Sequence, residues 1–212
     1  MKIGVLALHG AVIEHIQTLR AIGVEPVPVR LPEDLEGISG LILPGGESTT
    51  MRKLVARWGL REPIMALARS GAPILGTCAG MIIVAMEIAG GDEPVFPLLD
   101  VTVERNAFGR QLDSFETDLA MPILGDRPVH AIFIRAPIIE RVGPGVEVLA
   151  RLPDQRIVAV RQRNVIAIAF HPELAGETRI HRLVATMAAE YAEPGEGMET
   201  AGTEPWSLGE AT

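Results

Sequence analysis

The chain carries one cysteine, Cys78, set in Gly76-Thr77-Cys78-Ala79-Gly80. An apolar run, Pro73-Ile74-Leu75-Gly76, precedes it, and a helical pattern from Ala79 to Ala89 follows. The sulfur therefore falls at a strand-to-helix turn. Glycine on either side permits the sharp, strained turn of a nucleophile elbow, with a thiol in place of a hydroxyl. The start of the following helix favours the thiolate, the reactive form. The backbone amide of Ala79 would face a developing oxyanion. A free cysteine without such surroundings is more often a small buried hydrophobe. Here the paired glycines and the position in the chain point to a nucleophile.

A thiol nucleophile needs a base, and the base needs a group to orient it. Of the five histidines (His9, His15, His130, His171 and His181), His171 directly follows an apolar run, Val165 to Phe170. Pro172 stiffens the turn after it, and Glu173 stands two residues on, where a carboxylate can fix the imidazole tautomer and stabilise its charged form. His15 and His181 fall within helical patterns and are expected to fill polar surface roles. His9 ends the first strand near the same sheet edge and is a candidate supporting group. A third element is Pro44-Gly45-Gly46-Glu47-Ser48-Thr49-Thr50, between a strand and a helix. Consecutive glycines let backbone amides approach an anion. A phosphate loop is the rival reading, but the Lys-Ser/Thr ending is absent and Glu47 would repel phosphate.

The elements that must position these groups alternate in the first ninety residues. Apolar strands are expected at Ile3–Leu8, Val24–Val29, Gly40–Leu43 and Pro73–Gly76. Helices are expected after Gly10, from Ser48 or Thr49, over Glu62–Arg69 and over Ala79–Ala89. Strands apolar along their whole length suit a parallel sheet covered on both faces. The expected fold is therefore α/β: a single-domain, doubly wound mixed sheet, with ligands at the carboxyl ends of its strands. After Gly90, short strands at Val101–Glu104, Ala131–Ile134, Val146–Ala150, Ile157–Val160 and Val165–Phe170 look antiparallel, and a last helix spans Thr178–Tyr191. Residues 1–191 are expected to form the domain. Residues 192–212, rich in Gly, Pro and Glu, are expected to be a disordered acidic tail.

The net charge of −8 argues against a nucleic-acid partner, because phosphate neutralisation needs clustered Lys and Arg. One cysteine cannot build a disulfide framework. The N-terminal apolar run is short and lacks a cleavage pattern, so it reads as a buried strand rather than a signal peptide. No apolar stretch approaches the roughly 20 residues of a membrane span. A cytoplasmic protein without membrane contact is expected.

Taken together, Pro-Gly-Gly, Gly-Thr-Cys-Ala-Gly and His-Pro-Glu resemble, in order, the landmarks of class I (triad-type) glutamine amidotransferases, whose fold is flavodoxin-like. Gly4–His15, Leu43–Met51, Val103–Phe115 (Val-Glu-Arg-Asn-Ala-Phe-Gly-Arg-Gln-Leu-Asp-Ser-Phe) and Phe133–Pro137 narrow the resemblance to the glutaminase subunits of pyridoxal 5′-phosphate synthases, over nearly all of Lys2–Tyr191. The resemblance implies a glutaminase with catalytic Cys78, His171 and Glu173 and oxyanion amides at Gly46 and Ala79. It implies L-glutamine binding by Gly46, Glu47, Ser48, Arg105, Ile134 and Arg135. Without it, Arg105 and Arg135 would read as surface or structural ion pairs. It also implies no cofactor or metal, and docking on a (β/α)₈-barrel synthase subunit that takes the ammonia through a channel and completes the oxyanion site. The family commonly has Gln where this chain has His9, which can also ionise. Rival readings are a glutaminase serving another synthase, a partner-binding domain that has kept the fold, and a cysteine peptidase or esterase. The Arg105 segment disfavours the first and third, and the intact triad disfavours the second.

Overall fold

The computed structural model describes residues 1–105 and 114–193. Asn106–Asp113 of the Arg105 segment, and the expected tail beyond Glu193, lie outside the described residues. The described chain runs β1 (Lys2–Leu6), α1 (Val12–Ala21), β2 (Glu25–Val29), β3 (Leu41–Leu43), α2 (Ser48–Arg57), α3 (Arg61–Arg69), β4 (Ile74–Thr77), α4 (Ala79–Val84) and β5 (Ala85–Ile88). It continues through β6 (Leu99–Glu104), β7 (Ser114–Leu119), β8 (Val129–Ile134), β9 (Ile138–Val142), β10 (Glu147–Arg151), β11 (Ile157–Gln162), β12 (Val165–Ile168) and α5 (Arg179–Ala192).

Most of the strands join one mixed sheet in the order β2-β1-β3-β4-β12-β11-β9-β6-β5, with β10 on the side of β11. Neighbours from β2 to β12 pair in parallel. The pairs β12–β11, β11–β9, β11–β10 and β9–β6 are antiparallel. The second half is mostly antiparallel, as expected, but β12 also pairs in parallel with β4, and β6 with β5. The central strands β3, β4 and β12 are buried at every position, which is why they read as unbroken apolar runs. The chain leaves β1 toward β2 on one side and reaches β4 through β3 on the other. The strand order thus reverses between β1 and β3, where a doubly wound sheet opens a crevice at its carboxyl edge.

One expected element is corrected. The helix after Cys78 does not run to Ala89 but stops at Val84, and Ala85–Ile88 forms β5, parallel to β6. Ile82, Ile83 and Val84 are β-branched and stiff in a helix. Pairing Ala85 with Leu99 and Ile88 with Val103 gives the next residues a sheet edge instead. The strands β7 and β9 were not anticipated. The pair β7–β8 forms a separate two-stranded ribbon, with Phe115 opposite Phe133 and their rings stacked 4.5 Å apart.

Candidate active site

Cys78 sits where β4 gives way to α4, with φ 50° and ψ −106°. A non-glycine residue with positive φ is strained, and such strain concentrates at functional positions. The fold holds the turn by sheet and glycine together. The Cys78 N–H donates to the Ile168 carbonyl at 2.8 Å. A Cβ on Gly80 would stand 2.0 Å from the Leu43 carbonyl oxygen, so only glycine lets α4 begin this close to β3. The helix has six residues. What it offers the thiol is therefore its first-turn amides rather than a long macrodipole.

His171 leaves the end of β12, its N–H bonded to the Ile132 carbonyl at 2.9 Å. Its Nδ1–H donates to Glu173 Oε1 at 2.7 Å. Burial works against a charged imidazole here, but the Cys78 thiol and the Glu173 carboxylate outweigh it and raise the His171 pKa to about 10. His171 is therefore protonated at physiological pH. The Cys78 thiol also lies 3.8 Å from the Ile134 carbonyl.

The glycine loop after β3 closes the third side. A Cβ on Gly45 would fall 2.4 Å from His171 Cε1 and 3.2 Å from Cys78 Cβ, so the loop lies directly against both reacting side chains. The Gly45 N–H donates to Thr77 Oγ1 at 3.0 Å, and its carbonyl accepts from the Ala11 N–H at 3.1 Å. The loops after β1 and β3, which flank the switch point, are thereby tied together. Gly46 is exposed, with its Cα side close to Gly10 and His9.

These pieces surround a cavity of about 480 Å³, within the usual range for small-molecule sites. Its walls include every site residue expected from the sequence except Glu173, which stands behind His171: Cys78, Ala79 and His171 at the elbow, Gly46, Glu47 and Ser48 from the loop, and Arg105, Ile134, Arg135 and His9 around the rim. The roles open to them differ. The Glu47 carboxylate caps α2, accepting from the amides and hydroxyls of Thr49 and Thr50. Those bonds, the Thr49 hydroxyl foremost, lower its pKa to about 2. What Glu47 can offer a ligand is its backbone. Arg105 pairs with Asp92. Arg135 is exposed and held at φ 42°. His9 is exposed on the cavity wall beside Gly46. Among the described residues, no group of His, Cys, Asp and Glu is arranged to hold a metal.

Two histidines expected at the surface are corrected. His15 and His181 are both fully buried, with His15 Nδ1 and His181 Nε2 2.9 Å apart. His15 Nε2 lies 3.1 Å from Thr77 Oγ1 and 3.6 Å from Glu173 Oε2. Burial first, then the neighbouring His181 and His171, push the His15 pKa well below that of a free imidazole. Burial also lowers His181 to about 4, against the backbone and charge of Glu177. Both rings are neutral at physiological pH. The helical pattern of α1 held a signal for this: His15 lies three residues after Val12 and four before Leu19, on the stripe that turns inward.

A family model described as the SNO glutamine amidotransferase family matches residues 5–190. A "Pyridoxal 5'-phosphate synthase subunit PdxT" of Moorella thermoacetica is 55% identical over 181 residues, 85% of this chain and 96% of the relative. One of the same name from Herpetosiphon aurantiacus is 57% identical over 186 residues, covering 86% and 98%. A solved structure described as a glutamine amidotransferase superposes with a TM-score of 0.83 at 46% identity, covering 88% of this chain and 98% of its own. A putative GMP synthase protein from Thermoplasma acidophilum, 18% identical with a TM-score of 0.68, shares the fold over 92% of this chain and 96% of its own.

Proposed function

The chain belongs to the SNO glutamine amidotransferase family, and on that premise we propose how it works as the glutaminase of a pyridoxal 5′-phosphate synthase. It hydrolyses L-glutamine to L-glutamate and ammonia. Cys78 attacks the carboxamide carbon. The oxyanion that forms is met by the amides of Ala79 and Gly46, the second aligned when the partner docks. His171, protonated at rest, gives its proton to the departing ammonia, leaving a thioester on Cys78. It then takes a proton from the water that releases glutamate. Glu173 holds the imidazole Nδ1–H, so that Nε2 serves the thiol and the leaving group. Arg105 and Arg135 are the cations available for the substrate α-carboxylate, for which a planar guanidinium suits two-point bonding. Backbone at Gly46, Glu47, Ser48 and Ile134 completes the glutamine site.

The observation that carries this reading is the 2.7 Å His171–Glu173 bond beside a cysteine held at a strained elbow. Residues 1–191 act as one catalytic unit in the cytoplasm. Ammonia released into water is protonated and lost, so the chain docks on a (β/α)₈-barrel synthase subunit, which receives it and builds pyridoxal 5′-phosphate from a pentose phosphate and a triose phosphate. Docking completes the oxyanion site. The test is glutamate release from glutamine by the full chain, with and without a purified synthase subunit. Strong stimulation by the synthase, abolished by Cys78→Ala while binding to the synthase survives, is the expected result. Equal turnover with and without the synthase would sink the docking claim, and turnover by Cys78→Ala would sink the mechanism.

A further inference from the structure

The proton-transfer pair of Cys78 and His171 does not use His15 or His181, yet both are fully buried directly behind it. Two helices distant in sequence, α1 and α5, each contribute one ring, and the rings meet at 2.9 Å. Burying polar rings is costly unless they bond. A pair of leucines would join the same helices without that cost. Something must need the nitrogens.

The chemistry in front of them supplies the reason. Glu173 is fully buried at its side chain and spends Oε1 on His171. Its other oxygen, Oε2, has no hydrogen-bond partner among the described residues. His15 Nε2 stands 3.6 Å from that oxygen, just beyond bonding length, and 3.1 Å from Thr77 Oγ1. We propose that His15 is a positioning residue of the active site, its Nε2–H turned toward Glu173 Oε2 and its Nδ1 accepting from His181. It thereby keeps the carboxylate in the orientation that serves His171. The proposal rests on the glutaminase reading above.

The direction of the relay follows from charge. A neutral imidazole has one N–H to place. In the opposite relay, Thr77 O–H donates to His15 Nε2, and His15 Nδ1–H donates to His181. That arrangement satisfies the Thr77 hydroxyl, but it aims a bare nitrogen lone pair at an anionic oxygen inside the protein. With Nε2–H forward, the same ring also touches Thr77 Oγ1, which accepts the Gly45 N–H. One imidazole then supports both the triad acid and the loop that carries the Gly46 amide.

The experiment compares His15→Leu, His15→Asn and His15→Gln in the full chain. Glutaminase turnover is measured with the synthase subunit, together with melting temperature. Iodoacetamide alkylation of Cys78 is followed against pH in the chain alone. The glutamine amide nitrogen reaches the place of imidazole Nε2, and the asparagine amide reaches that of Nδ1. Leucine is expected to lower kcat by about 10- to 100-fold, the scale seen when a partner orienting a metal-bound imidazole or carboxylate is removed, with KM little changed. Glutamine restores kcat to within a few-fold and asparagine does not. The alkaline midpoint of alkylation, set by His171 between Cys78 and Glu173, moves down in the leucine and asparagine variants. The proposal is overturned if asparagine rescues and glutamine does not, if leucine retains wild-type kcat, or if kcat simply follows melting temperature across the three. Should the leucine variant not fold, the glutamine–asparagine comparison decides. Should the wild-type chain release no glutamate, the glutaminase reading fails, while the alkylation profiles still decide whether His15 positions Glu173.

Discussion

Gly45→Ala is a clean probe of how tightly the site is set. Gly45 is buried, and its φ does not lie in the left-handed region, so alanine meets no backbone penalty there. The whole effect is one methyl group. It would stand 2.4 Å from His171 Cε1, 3.1 Å from His171 Nδ1 and 3.2 Å from Cys78 Cβ. Carbon atoms in contact need about 3.5 Å, so the imidazole must retreat by about 1 Å or the loop must lift. Retreat would stretch the 2.7 Å bond to Glu173 or draw Nε2 away from the thiol. Lifting would break the Gly45–Thr77 bond and move the Gly46 amide. A misplacement of about 1 Å costs on the order of 10²-fold in rate, and overpacking of this kind costs about 1–3 kcal/mol of stability. Steady-state glutamate release in the presence of the synthase, with thermal denaturation alongside, separates the two effects. The expected outcome is a kcat lowered about 100-fold in a chain that still folds and still docks. A Gly45→Ala chain with wild-type kcat would mean that the loop does not bear on the triad and would refute this account of the site.

Three further outcomes follow from the same geometry. Because the folded-state pKa of His171 is raised to about 10, above the ordinary imidazole value of about 6.5, its ion pairing contributes stability that is complete below pH 6.5 and lost as pH rises through about 10. The alkaline limb of kcat/KM should lie in that window, and Cys78→Ala should lower the His171 midpoint read by NMR; a midpoint unmoved by the substitution contradicts the pairing. Glu173→Gln keeps the shape and removes the charge, so kcat should fall by about 10²- to 10⁴-fold, and the alkaline limb should move to lower pH. Thr77→Val removes the acceptor of the Gly45 N–H inside a fully buried site. It should cost about 1–3 kcal/mol in chemical denaturation and reduce turnover beyond what that loss of stability explains.

The parts of this site that were legible in the sequence are those strung along one local segment. The glycines around Cys78, the double glycine after β3 and the His-Pro-Glu turn each announce a backbone shape within five or six residues. The parallel core was legible too, because β3, β4 and β12 are buried on both faces and carry no polar residue to blur the pattern beyond the terminal Thr77. What stayed hidden depends on partners far along the chain. Val84 ends a helix only because β6 is there to receive Ala85–Ile88. Ser114–Leu119 shows little apolar character of its own and becomes a strand by pairing with Val129–Ile134. The burial of His15 could be read from the α1 stripe, but its partners could not: Thr77, Glu173 and His181 come to it from β4, the turn after β12 and α5.

The burial of those partners divides the site into two regimes. The rear, made of Glu173, His15, His181, Thr77 and Gly45, is closed to solvent, with hydrogen bonds of 2.7–3.1 Å. Groups fixed in this way need little rearrangement when a proton moves, which is where a preorganised site gains most. The front, made of His9, Gly46, Arg135 and Leu174, is exposed on the cavity wall. In the proposed complex, a synthase surface over the cavity would reach the front and not the rear, and it would act on rate through the Gly46 loop and the cavity residues rather than through the basicity of His171. His9 occupies the point of greatest leverage in that scheme: it is exposed, it stands against Gly46, and it is the one place where an ionisable ring replaces the amide side chain expected of the family. The Gly46 loop is held from behind by Thr77 through Gly45. On its solvent side it meets His9 and Gly10 in the free chain, so this is the face that the proposed partner would set.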